Sequence, residues 1–142
     1  MKITDGTVLY VFGAEMCVLA SEIGGQPEFL DRRVRDKIKA QFLIRARAIM
    51  RELPRTLRPS RVVVRDTRSR WGSCSATGAI SLSWRLSFAP PDVMRYVIIH
   101  ECCHLAEMNH SAAFWKLVEQ YCPAYKTPRM WLRKNGRSLF NY

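Results

Sequence analysis

The sequence predicts an α+β fold in which a small, mostly antiparallel sheet packs on helices. Three observations carry that expectation. Apolar residues recur at helical spacing through a long basic stretch, two short segments alternate apolar and polar, and a further apolar helical stripe opens at Pro90. With 142 residues the chain is long enough to bury a core as one domain, 1–142, without disulfide staples.

Residues 8–12 and 16–20 read as two short strands turning near Gly13-Ala14, and they account for the amino-terminal part, 1–25. The stretch 7–20 is apolar enough to imitate the middle of a signal peptide. Gly13 and Glu15 interrupt it, however, and its basic end offers only Lys2 beside Asp5. Gly24-Gly25-Gln26-Pro27 then breaks the chain. A basic helix over 28–53 follows, with Val34, Ile38, Phe42, Ile49 and Leu53 on one face and Leu53-Pro54 as its stop. Residues 61–66 and 79–84 alternate as strands across a turn at Thr77-Gly78, so the spacing predicts an antiparallel pair within 61–84.

The remainder, 90–142, reads as helical. Pro90, Pro91 and Asp92 make a helix start, and Val93, Val97, Ile98 and Ile99 give it an apolar stripe. Ser111 opens another helix carrying Phe114, Leu117, Val118 and Tyr121, closed by Pro123. A last short helix over 128–134 ends at Asn135-Gly136. No run reaches the roughly 18 apolar residues that a membrane span needs.

The chain has three histidines, and all fall within eleven consecutive residues. His100, Glu101 and His104 spell His-Glu-x-x-His. Residues four apart on a helix share a face about one turn apart, so two imidazoles can hold one divalent ion while Glu101 reaches the water beside it. Packing alone poorly explains a third histidine, His110, six residues further on.

Catalytic zinc usually takes three protein ligands and keeps a fourth position open, so a third ligand is needed. His110 has the spacing of an extended motif in which the chain leaves the helix and folds back. Glu107 stands where that motif has glycine, but Asn109 tolerates the left-handed backbone that would reverse the chain. Glu119 competes from the following helix, where solvation explains it as well, and Glu107 would have to act from the same helix as His104. The residues favour His110 and leave the other two open.

Five cysteines, an odd number, rule out a complete intramolecular disulfide framework and make a reducing cytoplasm the expected home. Cys102 points away from the histidine face and Cys103 lies on its flank, so both are expected as small buried hydrophobes. Net charge is +11. Residues 31–70 hold fourteen bases against four acids, a net of +10, which a solvated outer helix face or a surface for nucleic acid, nucleotides or acidic proteins would each explain.

Between residues 64 and 133 the chain reads Val-Arg-Asp-Thr-Arg-Ser-Arg-Trp-Gly-Ser-Cys, Ile-Ser-Leu-Ser-Trp-Arg-Leu, Ala-Pro-Pro-Asp-Val, Tyr-Val-Ile-Ile-His-Glu-Cys-Cys-His-Leu, Asn-His-Ser-x-x-Phe-Trp and Arg-Met-Trp-Leu-Arg. In this order the motifs resemble the YgjP-like metallopeptidase family, relatives of the WLM and SprT-like zinc peptidases. The resemblance covers about half the chain. It implies a zincin-like fold, Zn2+ held by His100, His104 and His110, and Glu101 as the catalytic residue. Two departures stand out: Cys102-Cys103 replaces the usual Leu-Ala, and part of the longer amino-terminal region of such proteins is not found.

The same resemblance places Arg70 and Trp71 near a substrate cleft. Trp71 could equally anchor the core. Zinc peptidases commonly hold the substrate backbone by strand addition, and residues 79–84 are the expected edge strand. Zinc supplies acidified water and polarises a carbonyl, while Glu101 would take the water's proton and pass it to the leaving amine. Tyr96, Arg70, Tyr125 and Arg129 all qualify by type to steady the oxyanion.

The expected function is therefore zinc-dependent hydrolysis, foremost of peptide bonds in a peptide or protein substrate. A metal-dependent nucleoside triphosphate pyrophosphatase is the alternative, since activated water can attack phosphorus and the arginines could hold phosphates, although no glycine-rich phosphate loop is present. A nucleic-acid-associated protein with a structural metal is the third reading. SprT-like relatives include proteases acting on DNA-bound proteins, which gives the 31–70 segment its nucleic-acid interpretation.

Overall fold

The computed structural model describes residues 8–17, 32–67 and 69–141. At the amino-terminal end β1 (Val8–Val11) pairs antiparallel with β2 (Ala14–Cys17), Val8 opposite Cys17 and Val11 opposite Ala14. The second strand thus starts two residues earlier than its alternation predicts, and 18–20 lie outside the described residues. The turn sits at Phe12-Gly13, where φ is 53° and 78°, the left-handed pair that a tight hairpin demands. Phe12 tolerates this because it is held from several sides: its N–H donates to the Ser87 carbonyl (2.8 Å) and the Arg45 guanidinium lies 4.3 Å over its ring.

Helix α1 (Arg32–Arg51) buries Val34, Ile38 and Phe42 as expected, but continues the stripe with Ala46 and Met50, while Ile49 is only half-buried. Residues 28–31 of the expected helix lie outside the described ones. Leu53 is buried as well, and a short 3-10 turn, Arg55–Leu57, carries the chain onward.

The sheet differs from expectation. Strand β3 (Arg61–Arg65) pairs parallel, not antiparallel, with β5 (Ala79–Ser83). A third strand, β4 (Gly72–Cys74), lies on the other side of β5 and pairs with it antiparallel, so the order is β3-β5-β4 and the sheet is mixed. The Thr77-Gly78 turn is real, with Gly78 at φ 87°, but it joins β4 to β5. Because β4 lies between β3 and β5 in sequence but on the far side of β5 in the sheet, β3 and β5 run parallel. Residues 79–84 are consequently no edge. Their strand is central, and the outer strands are β3 and β4.

A fully buried 3-10 segment, Trp84–Phe88, leads from β5 into α2 (Pro91–Cys103). Helices α3 (Ala112–Tyr121) and α4 (Lys126–Asn135) follow. Helix α4 starts before Pro128, which its first turn accommodates. Gly136 does not stop it with a left-handed residue but continues at φ −56° into a 3-10 stretch, Gly136–Asn141. The backbone packs closely against Trp71 there, since a Cβ on Gly136 would stand 3.1 Å from Cζ2 of Trp71. Two apolar clusters, one under α2 and α3 and one under β1 and α1, share Phe12, Val64, Trp71 and Leu132 at their margins. No described helix is long and apolar enough to cross a membrane.

One ion pair ties the sheet exit to the carboxyl-terminal segment. Arg85, 1% exposed, donates from Nε to Asp66 Oδ1 (2.8 Å) and from Nη1 to the Leu139 carbonyl (3.3 Å). Partial burial alone would raise the Asp66 pKa, but hydrogen bonding and the Arg85 charge outweigh it and hold the carboxyl below its usual value of 3.8. A depressed pKa means the pair stabilises the fold above that value and loses its contribution as acid protonates Asp66. Asp66→Ala should cost about 2 kcal/mol in urea unfolding at pH 7, because it takes the carboxylate from a buried guanidinium while that carboxylate is itself partly screened by solvent. The difference from the parent should shrink as pH drops through the lowered Asp66 pKa.

Candidate metal centre

Helix α2 starts as the sequence predicts, with Pro91 in its first turn and Asp92 near its positive end. Val93, Met94, Tyr96, Val97, Ile98, Ile99, Cys102 and Cys103 are all buried, so the helix is surrounded nearly all round. Its hydrogen-bonded run ends at Cys103, with His104 as the C-cap. The chain then turns back through 104–110. Asn109 does not make this reversal in the left-handed region, since among the described residues only Phe12 and glycines have positive φ. A tight series of amide bonds does it instead, from Leu105 to the Cys102 carbonyl and from Ala106 and Glu107 to that of Cys103. Ser111 begins α3 as expected, its hydroxyl accepting from the Phe114 N–H (3.3 Å).

These elements bring the three imidazoles together. His110 Nε2 lies 3.1 Å from His104 Nε2 and 3.3 Å from His100 Nε2. Two nitrogens each about 2.1 Å from one tetrahedral ion stand about 3.4 Å apart, so the spacing fits a single divalent cation. Among the described residues this is the cluster able to hold a metal ion, with all its ligand atoms within 4.8 Å of one another. Glu107 and Glu119 are not in it. Glu107 contributes its carbonyl, which accepts from His104 Nδ1 (2.9 Å) and leaves the Nε2 lone pair for the centre, while Glu119 is exposed on α3.

Phe114, fully buried, supports all three rings. Its centroid is 4.4 Å from that of His104, stacked, and 4.9 and 5.0 Å from those of His100 and His110, edge-on. The sequence marks it only as an apolar residue of α3. The signal was present in the Ser111 cap, which fixes where the first turn after His110 points. Burial, with His104 and His110 adding their charges, lowers the His100 pKa to about 3, and burial followed by His104 and Arg129 lowers that of His110. Both are therefore neutral at pH 7, the form that ligates.

Glu101 is 7% exposed beside this centre. Burial pushes its carboxyl up to about 7, with the Arg70 charge pulling the other way. Strand β4 lies directly against it: a Cβ on Gly72 would come within 2.7 Å of Glu101 Cγ. Trp71, Gly72, Tyr96, Val97, His100 and Leu132 join Glu101 around a cleft of about 200 Å³. Trp71, half-buried, lines the cleft and stacks on Phe140 (centroids 4.8 Å apart). Arg70 is exposed and acts on Glu101 through its charge, outside that lining.

The other sequence candidates separate. Tyr96 lines the cleft, whereas Arg129 lies over the Trp115 ring at 4.4 Å, and Tyr125 stacks on Trp115 and Tyr96. Cys102 and Cys103 are buried with thiols raised to about 12, chiefly by burial, as expected of packed hydrophobes. The basic 31–70 segment does not form one outer helix face. Lys39 and Arg45 cover aromatic rings, Arg70 faces Glu101, and Arg47, Arg51, Arg58 and Arg61 surround a separate groove.

Tyr96 Oη lies 3.3 Å from His100 Nδ1, and a metal held at Nε2 would leave the proton on Nδ1, which the phenol oxygen would then accept, fixing the ring. Tyr96→Phe should weaken divalent-metal binding about tenfold in a competitive chelator titration with the fold unchanged. Equal affinity would show that Tyr96 does not orient the ligand.

Comparison with known proteins agrees with this geometry. Among curated proteins none matches the chain. A solved structure, that of the metallopeptidase zymogen of Pyrococcus abyssi abylysin, superposes with a TM-score of 0.52 at 27% identity, over 69% of this chain and 95% of that one. The model of the YgjP-like metallopeptidase domain matches residues 19–135. A histidine cluster fit for a divalent ion, a matching family model and a related peptidase structure lead to one conclusion: the chain belongs to the YgjP-like metallopeptidase family and is a metal-dependent hydrolase.

Proposed function

We propose that this protein is a zinc peptidase of zincin-like fold in which His100, His104 and His110 hold the ion and Glu101 is the general base. The observation that carries the reading is the convergence of three Nε2 atoms at 3.1 and 3.3 Å beside a buried carboxylate. Three imidazoles and an open fourth position suit zinc, which when bound would acidify water and polarise an amide carbonyl.

Glu101 Oε takes a proton from the attacking water and delivers it to the leaving amine nitrogen. Its low exposure serves this purpose, because a desolvated carboxylate is a stronger base than one in water. Substrate backbone pairs along the free side of β4, the outer strand whose Gly72 touches Glu101. Trp71, Val97 and Leu132 give a side chain of the substrate an apolar place, and Arg70 favours an ionised Glu101.

Glu101→Gln should keep about one zinc per chain and lose peptide hydrolysis; turnover equal to the parent in the zinc-loaded variant would remove the general base. Incubation with a peptide library beside nucleoside triphosphates, each with the parent and this variant, separates peptidase from phosphoanhydride hydrolase. Gly72→Ala should also retain zinc yet lower kcat on the order of a hundredfold, since the added methyl must displace Glu101.

A further inference from the structure

We propose that the groove between the carboxyl-terminal half of α1 and strand β3 is a docking site for an extended, acidic polypeptide segment of a partner protein. The groove encloses about 630 Å³, against about 200 Å³ for the cleft beside the histidines, and the two share no lining residue. Arg47 and Arg51 of α1, Arg58 of the following loop and Arg61 of β3 surround it, with no carboxylate among the lining residues. All four arginines are exposed.

The neighbouring acid in sequence, Glu52, is engaged elsewhere, accepting from Arg95 Nη1 at 2.7 Å. Arg58 is held in place: its Nε donates to the Leu53 carbonyl (2.9 Å) and its Nη2 to that of Arg51 (3.0 Å). A guanidinium already ordered costs less to immobilise when an anion arrives. Four like charges around one concavity attract negative charge strongly.

Two features select polypeptide over nucleic acid. The groove has an apolar component in Ile44, which is 66% exposed, and Val62. It also reaches the start of β3, Arg61 and Val62, and β3 is an outer strand of its sheet among the described residues. A strand edge offers main-chain N–H and C=O groups that another polypeptide can pair with and a polynucleotide cannot. Because side chains alternate along a strand, a docked segment can turn acids to the arginines and apolar residues to Ile44 and Val62. The groove stands apart from the metal centre.

The test titrates the full chain and its Arg47→Glu/Arg61→Glu variant with a fluorescent peptide of about ten residues alternating Glu and Val. A Lys-Val peptide and a single-stranded oligonucleotide of matching charge serve as comparisons. The Glu-Val peptide should bind with an affinity that falls as salt is added, the charge reversals should weaken it about tenfold or more, and amide exchange at β3 should slow on binding. Preference for the Lys-Val peptide, tighter binding of the oligonucleotide, unchanged affinity in the variant or unprotected β3 amides would each overturn the proposal. So would sedimentation showing a dimer of this chain that the same substitutions abolish, since the occupant would then be a second copy. Arg47→Gln/Arg61→Gln carries the same test if the charge reversals lower the unfolding midpoint.

Discussion

The constraint on which the rest depends is that α2 must be buried almost completely and still deliver two imidazoles and a carboxylate to water. A helix apolar all round is ordinarily core and nothing else. Here the last turn borders the cleft, which His100 and Glu101 line, with the buried His104 capping the helix behind them. Packing of Val93, Val97, Ile98 and Ile99 therefore does more than stabilise. It fixes the direction from which the ligands approach, and rings held this way need little ordering when a cation arrives.

The neighbouring elements act on the same few atoms. Helix α3 places Phe114 against three rings, β4 sets its backbone on Glu101, and the 3-10 stretch after α4 brings Gly136 and Phe140 onto Trp71 at the rim. Leu139 of that stretch accepts from Arg85, which also donates to Asp66, the residue that follows β3. Strand, metal helix and carboxyl-terminal segment are thus mechanically connected through named contacts, and the cleft lies where they meet.

What could be read from sequence was local. Pro90-Pro91 and Ser111 set helix starts through backbone chemistry that needs no distant partner, and the spacing of His100, His104 and His110 announced the cluster. What escaped was set by distant pairing. Gly72-Ser73-Cys74 has little intrinsic strand preference and becomes β4 only beside β5, and that insertion turned an expected antiparallel pair into a parallel one. The surroundings of Glu101 likewise depend on Gly72, 29 positions earlier in the chain. The basic segment showed its charge but not its division among ring contacts, the carboxylate and the groove.

Cys102 and Cys103 sit back to back with the ligands on α2, fully covered and with thiols resistant to ionisation. In the folded protein an alkylating reagent finds neither solvent access nor thiolate there. Their modification must wait until α2 parts from its neighbours, so the rate at which these two sulfurs react is a clock for the opening of the very helix that carries the site.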